Sequence, residues 1–423
     1  MTATASRSRS KNSESGRSSS ARSGPAQRLR EAWTGPLTTY YLLVGSTALL
    51  LVIGLVMVLS SSSVDSIVRG RSPYAAFLAQ TRFALIGLVL MLIATRLTGL
   101  WQRRLAWGAM FAALGFQMMV FVPGLGCGSG GNQNWVCLPG FSAQPAEALK
   151  LALAMWLGVV LVRKQPLLGR VRHVVVPGLA GAGVAIASVL AGKDLGTVLI
   201  FALLVAGALF VAGVPLWMFG SVASLAGLGV VVWILAQPDS NRMDRISNWL
   251  GECTDSAGLC YQIDHGTWAL ASGGWFGRGL GQSREKWSYL PEAHNDFIFA
   301  ILGEELGLAG TLLVLGLFAL LAIAMLRLIR HHPDPVARVT TGAIFAWVIG
   351  QALINIGVVI RLAPVIGVPL PLVSAGGSAL VMTMAALGVV ISYARSDPKT
   401  AAALAARPGA LRRSIAVLGR ARG

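Results

Sequence analysis

Apolar runs long enough to cross a bilayer, each needing only ~20 residues, recur almost from end to end of this chain, as in Tyr40 to Ser60, Phe83 to Thr98 and Leu195 to Val214. They leave no room for a soluble domain. With 55% of the residues hydrophobic and 12% charged, a water-soluble fold would expose apolar surface far beyond the usual patch size. The expectation is an all-α polytopic membrane protein of about ten transmembrane helices. Its spans fall at residues 40–60, 80–98, 104–122, 145–163, 173–191, 195–213, 216–236, 296–329, 339–361 and 377–395. The eighth is too long for one straight crossing, so it extends beyond the bilayer or tilts. Glycines within the spans read as sites of close helix approach.

A formal charge of +18 would point to nucleic acid in a soluble protein. Here position accounts for it, and no nucleic-acid partner is expected. The basic residues gather in the N-terminal tail, in three short loops marked by Arg103 and Arg104, by Arg163 and Lys164, and by Arg327 and Arg330, and in the C-terminal tail with Arg412 and Arg413. The positive-inside rule places these loops and both termini in the cytoplasm, which requires an even number of spans. The opposite loops hold most of the acids, including Glu147, Asp194, Asp264, Glu285, Glu292 and Asp296. The long polar N-terminus ahead of a full-length apolar run reads as a signal anchor and not a cleaved signal peptide.

Three regions follow. Residues 1–37 are low-complexity Ser, Arg and Gly, a composition that cannot bury a core and reads as a disordered basic tail. Its end, Ala26 to Trp33, fits a short basic helix lying on the membrane with Trp33 at headgroup depth. Residues 38–395 are the membrane domain, and 396–423 form a second basic cytoplasmic tail. Among the external loops, residues 237–295 dominate, between helices 7 and 8. This loop carries Trp249, Trp268 and Trp275, a Gly-rich turn from Gly273 to Gly281, and the basic residues Arg278, Arg284 and Lys286; its aromatic and apolar content argues for order. The last external loop, Arg361 to Ser378, contains Pro364, Pro369, Pro371, Gly376 and Gly377. Non-helical backbone at that depth suggests a re-entrant segment.

All four cysteines, Cys127, Cys137, Cys253 and Cys260, fall in external loops, where disulfides persist. Local bridges Cys127–Cys137 and Cys253–Cys260 stand against free thiols, and four cysteines allow three connectivities. Neither pair has zinc-ligand spacing.

Ionisable groups inside or at the mouth of membrane helices are costly and so are functional candidates. Glu147 and Lys150 open the fourth helix in Gln144-Pro145-Ala146-Glu147-Ala148-Leu149-Lys150. Their i, i+3 spacing lets each neutralise the other, as a site pair or as a structural ion pair that makes burial tolerable. Asp296 sits at the mouth of the eighth helix, where it reads as an N-terminal cap or as a catalytic base. Glu304 and Glu305, two turns further in, read as internal hydrogen-bonding groups. His294 has a positioning role beside Asp296, because sequence neighbours do not face each other on a helix. No metal motif, Walker loop or nucleophile elbow is present.

Several ordered motifs together resemble the SEDS family (shape, elongation, division and sporulation) over residues of about 40 to 395. They are Gly131 to Trp135 followed by Gln144 to Lys150, Asp194-Leu195-Gly196-Thr197, Gly279-Leu280-Gly281-Gln282-Ser283, Tyr289 to Gly307, and Pro369 to Ser378 with Ser374 at its centre. The stretch from Leu290 to Ile298 is closer to the family's division branch than to its elongation branch. Lys193 stands where many members carry proline.

The resemblance implies a peptidoglycan glycosyltransferase in the bacterial cytoplasmic membrane, at the division septum, polymerising lipid II on the outer face. It implies work beside a class B penicillin-binding protein, the cross-linking transpeptidase, and other division proteins. Asp296 matches the family's essential acidic position, and Glu147 and Lys150 its paired residues in the fourth helix.

Joining two lipid-linked sugars requires a hydroxyl to lose its proton as it attacks an anomeric carbon. Pyrophosphate leaves without protonation when cations stabilise its charge, so one base suffices, whereas ordinary glycosidases use two carboxyl groups. Asp296 is the expected general base. Lys150, Arg278 and Lys286 are candidates for the pyrophosphate, with a divalent cation (Mg or Mn) able to replace or assist them. Gln144, His294 and Ser374 complete the expected substrate contacts. Three rival readings remain: a lipid II flippase, with Glu147, Lys150 and Glu304 along its path, a polymerase of the family's elongation branch, and a scaffold acting through its basic tails.

Overall fold

The computed structural model describes residues 33, 35–129, 132–138, 141–235, 249, 259–287 and 289–406. Residues 1–32 and 34, which include residues 26–32 of the expected interfacial helix, residues 407–423 of the C-terminal tail, Cys253 and most of residues 236–258 therefore lie outside the described residues. The helices are α1 (Thr38–Val68), α2 (Ala75–Arg96), α3 (Gly99–Met118), α4 (Pro145–Arg163), α5 (Val171–Ala191), α6 (Leu195–Ala212), α7 (Leu216–Leu235), α8 (Leu259–Gly273), α9 (Ile298–His331), α10 (Pro335–Val359), α11 (Gly377–Ser396) and α12 (Pro398–Ala405). Among the described residues, nine of these are long and apolar enough to cross a membrane. The 20-residue α7 stands where the seventh expected span falls.

Burial sorts the spans into an inner and an outer set. α4, α10 and α11 are mostly enclosed by protein, whereas α2, α3 and α5 present most of their apolar surface outward. α10 packs on α4, α6 and α9, and α11 packs on α2. Small residues permit the close crossings. A Cβ on Gly158 would meet Thr340 on α10, and one on Gly207 would meet Gly342 and Ala346. On the cytoplasmic side Arg103 pairs with Asp334 at 2.6 Å, and Asp334 also caps α10 through the Val336 N–H. The Arg327 guanidinium lies 4.3 Å from the centre of the Trp33 ring. These contacts lie among the basic loops that the charge rule assigns to the cytoplasm.

Three features depart from the sequence-based expectation. The loop before α4 is a small antiparallel sheet, β1 (Gly126–Ser129), β2 (Asn132–Leu138) and β3 (Phe141–Ala143), in the order β1-β2-β3. Cys127 and Cys137 are disulfide-bonded across it with a Cα–Cα separation of 6.0 Å. Cys260 is disulfide-bonded as well. Next, α5 changes to wider turns at Val175–Leu179, around a cis Val176–Pro177 bond. Finally, the long α9 is interrupted at Gly307, whose φ of 68° and ψ of −165° are non-helical. Main chain from the large external loop fills the break. Arg278 N and Gly279 N donate to the carbonyls of Glu304 and Glu305, while Leu308 N and Ala309 N donate to Gly274 and Trp275. No side chain fits there, because a Cβ on Gly307 would collide with the backbone of Phe276 and Gly277.

Helix rise sets the depth of the outer ends. The segment of α9 below the break, Gly307 to His331, is ~36 Å long at ~1.5 Å per residue. That alone spans a hydrocarbon core of ~30 Å. Helix rise therefore puts Gly307 near the outer boundary of the membrane, with Ile298 to Leu306 beyond it.

Candidate active site

Asp296 directly precedes α9, whose cap position is occupied by Phe297. Asp296 is half-buried, and its backbone carbonyl accepts a 2.8 Å hydrogen bond from Asn355 Nδ2 on α10. Asn355 lies 20 residues above Pro335 at the start of α10, or ~30 Å up. This places Asp296 at the outer membrane boundary, where the headgroup of a lipid-linked substrate lies.

Against it packs the segment between α10 and α11. It is non-helical, as its prolines and glycines require. Pro369 and Pro371 have no N–H to donate, so the segment's polar needs fall on its carbonyls. Gln351 Nε2 donates to Pro369 O at 2.8 Å and Asn355 Nδ2 to Val368 O at 2.8 Å. Ser374 Oγ accepts from Leu370 N and donates to Asn295 O at 2.7 Å, and Ala375 N donates to His294 O. Gln80 on α2 closes the far side, donating to Ser374 O and accepting from Gly376 N. Gly367 suits its φ of 78°, and it lies beside the base: a Cβ there would be in ordinary contact with Asp296 Oδ2 at 3.7 Å.

Below this layer lies the Glu147–Lys150 pair. Lys150 Nζ is 2.9 Å from Glu147 Oε1, both side chains are buried, and Nζ stands 4.7 Å from the centre of the Trp347 ring. Lys150 Nζ also donates to Gln351 Oε1 at 3.3 Å. Pro145 at the first turn of α4 pre-sets the helix that presents the pair. Gln144, just before it, donates through Nε2 to Asp194 Oδ2, which also receives Asn134 Nδ2 at 2.7 Å and the Thr197 hydroxyl. Asp194 further caps α6 through Thr197 N. Its neighbour Lys193 has φ 63°, which a proline ring cannot adopt.

The non-glycine residues with positive φ among the described residues, Lys193, Glu292, Arg361 and Leu372, all lie in external connections. Each costs ~1–3 kcal/mol, and such strain gathers at functional sites.

The predicted residues thus divide. Asp296, His294 and Ser374 meet through the segment before α11, and Lys150 and Glu147 join them through Gln351. Lys286 does not: its ammonium is buried against Glu305 at 3.0 Å, with Ser60 as a further partner of both. Its ammonium is thus paired and enclosed, as that of Lys150 is, and Arg278 is the exposed cation among the three candidates. Glu304 receives Ser283 Oγ and Arg284 N, and Arg278 lies 3.9 Å from it with an exposed side chain. Both glutamates serve as internal hydrogen-bonding groups. Gln351, Asn355 and Gln80 escaped the sequence reading, since a polar residue in a span signals burial with a partner but does not say which partner. Among the described residues no group of three His, Cys, Asp or Glu side chains converges to hold a metal ion.

The chain is similar in sequence and fold to known proteins. The sequence profile of the cell cycle protein family of FtsW, RodA and SpoVE matches residues 40–399. The probable peptidoglycan glycosyltransferase FtsW of Mycobacterium tuberculosis is 40% identical over 376 residues, covering 89% of this chain and 71% of that protein. Stage V sporulation protein E of Bacillus subtilis is 36% identical over 356 residues, covering 84% and 96%. Among solved structures, a chain from a peptidoglycan synthase complex that coordinates polymerization and crosslinking superposes with a TM-score of 0.69 at 25% identity, covering 84% of this chain and 97% of that one. The rod shape determining protein RodA of Thermus thermophilus gives 0.61 at 25% identity, covering 85% and 97%.

Proposed function

Because this chain belongs to the FtsW, RodA and SpoVE family of cell cycle proteins, we propose that it is a peptidoglycan glycosyltransferase that polymerises lipid II at the outer face of the bacterial cytoplasmic membrane. The observation that carries the reading is the half-exposed Asp296 at the outer membrane boundary, braced by backbone on two sides. A polyprenyl-linked sugar delivers its reacting carbon to that depth and keeps its tail in lipid.

Asp296 takes the proton from the acceptor hydroxyl. The oxygen bonds to the donor's anomeric carbon as the bond from that carbon to the pyrophosphate oxygen breaks, and the lipid pyrophosphate leaves with the electron pair. One base and no general acid are required, and attack opposite the leaving group inverts the anomeric centre. Proton removal by a placed carboxylate contributes ~10²–10⁴-fold. Lys150, held charged by Glu147, supplies positive potential beneath the site, and the exposed Arg278 is the second candidate for the pyrophosphate. Gln144, His294 and Ser374 shape the pocket around these groups.

The division relatives and the synthase-complex likeness support a septal enzyme that acts beside a class B penicillin-binding protein, with residues 1–37 and 396–423 as cytoplasmic tails. The test is purified full-length protein with lipid II in detergent, with and without the partner transpeptidase, comparing wild type with Asp296→Asn. Glycan polymer from wild type alone is expected; equal polymer from both removes Asp296 as the base. A flippase would instead depend most on Glu147 and Lys150, and would make no polymer.

A further inference from the structure

We propose that Gln351 and Asn355 are positioning residues that hold Asp296 and Lys150 in fixed relation through the carbonyls of Val368 and Pro369. The inference rests on the reading of Asp296 as the base. The two amides stand one turn apart on α10, four residues being the spacing that puts side chains on one face. Asn355 uses its single Nδ2 twice, toward Asp296 O and toward Val368 O, each at 2.8 Å. Gln351 donates to Pro369 O at 2.8 Å while its Oε1 accepts from Lys150 Nζ at 3.3 Å and from Trp347 Nε1 at 3.1 Å. One helix face thus ties the base segment, the proline-rich segment and the buried cation together.

The chemistry of the carbonyls explains why amides stand here. With Pro369 and Pro371 in the segment, its backbone is rich in acceptors and poor in donors. An amide is the neutral side chain that brings two N–H donors on one planar group. Both residues are buried, at 3% and 2% exposure, and Asn355 Oδ1 is enclosed without a hydrogen-bond partner. An orphaned buried acceptor costs ~1–3 kcal/mol, so Asn355 is kept for its donors and not for a balanced set of bonds. Its two bonds join segments that nothing covalent holds together, 59 and 13 residues away in sequence.

The test uses the full-length protein. Asn355→Asp keeps the shape and replaces the donor amide by a carboxylate that faces two carbonyls. Asn355→Ser keeps one donor. A base displaced by ~1 Å loses ~10²-fold in rate. We expect lipid II polymerisation with kcat ~100-fold lower for Asn355→Asp and ~10-fold lower for Asn355→Ser, with KM within ~3-fold of wild type. Amide hydrogen exchange across residues 362–376 should be faster in both variants and unchanged in Asp296→Asn. Wild-type kcat in a folded Asn355 variant, a loss carried wholly by KM, or unchanged exchange overturns the inference; if Asn355→Asp does not insert, Asn355→Ser decides on the same readouts. Exchange needs no turnover, which separates the two readings. Wild-type turnover by Asp296→Asn overturns the base and this inference with it, whereas unchanged exchange beside an inactive Asp296→Asn overturns this inference alone.

Discussion

Asp296 lies two turns or so of chain ahead of Glu304 and Glu305, yet the three acids occupy opposite kinds of environment. Glu304 and Glu305 are 1% and 0% exposed. Their oxygens are filled by hydroxyls, backbone amides and the Lys286 ammonium, and together they pin the Gly-rich turn of the external loop into the break in α9. Asp296 is half-exposed, and the bonds that brace it fall on the backbone around it. The buried glutamates hold the fold, whereas Asp296 stays partly open to the outer side, where chemistry can reach it.

Mutation puts that contrast at risk. Asp296→Asn should abolish polymerisation, a loss of at least ~10²-fold, while its thermal unfolding midpoint in detergent stays at the wild-type value; a large drop in stability would put Asp296 in the same class as the glutamates. Glu305→Ala should do the reverse. Removing one partner leaves the Lys286 charge buried and unpaired, which costs ~3–5 kcal/mol, so the expected result is a clearly lowered unfolding midpoint and a loss of activity in proportion to folded protein. A Glu305→Ala variant with wild-type stability would mean that the ion pair does not hold the loop.

Smaller effects are expected further from the two acid environments. Cys137→Ser opens the bridge across the β1–β2 sheet, a closed loop whose chain-entropy contribution is ~3 kcal/mol. That sheet carries Asn134 to Asp194 and Gln133 N to Gly192 O, so activity should fall several-fold; activity equal to wild type would mean that the bridge does not hold these contacts. Arg103→Ala on the cytoplasmic side removes a pair whose side chains are 43% and 25% exposed. Such a pair is worth ~0–1 kcal/mol, and polymerisation should be unchanged; a measurable loss would show that the cytoplasmic end communicates with the outer site.

Much of this was legible in the chain itself. Alternation of apolar runs with basic loops located the spans and their sidedness. The i, i+3 spacing of Glu147 and Lys150 anticipated their ion pair, and the prolines from 364 to 371 anticipated a non-helical segment. The break at Gly307 was not legible, because a glycine followed by apolar residues reads the same in a straight span as in an interrupted one. Nor was the fate of Lys286, since a basic residue in a polar loop looks solvated until a buried acid 19 positions away is brought to it.

Local hydropathy and charge along the chain were enough to establish the solvent, the order and direction of the helices, and the presence of an acid at an outer helix mouth. Which polar groups answer one another came from packing alone. Gln351 and Asn355 sit in an apolar span with no pattern naming their partners, and the carbonyls they satisfy become orphans only once the segment from 362 to 376 folds back against α10 and the segment before α9. Hydrogen-bond demand arises from burial, and burial is a property of the packed molecule; the residues that settle it must wait for the fold to reveal their role.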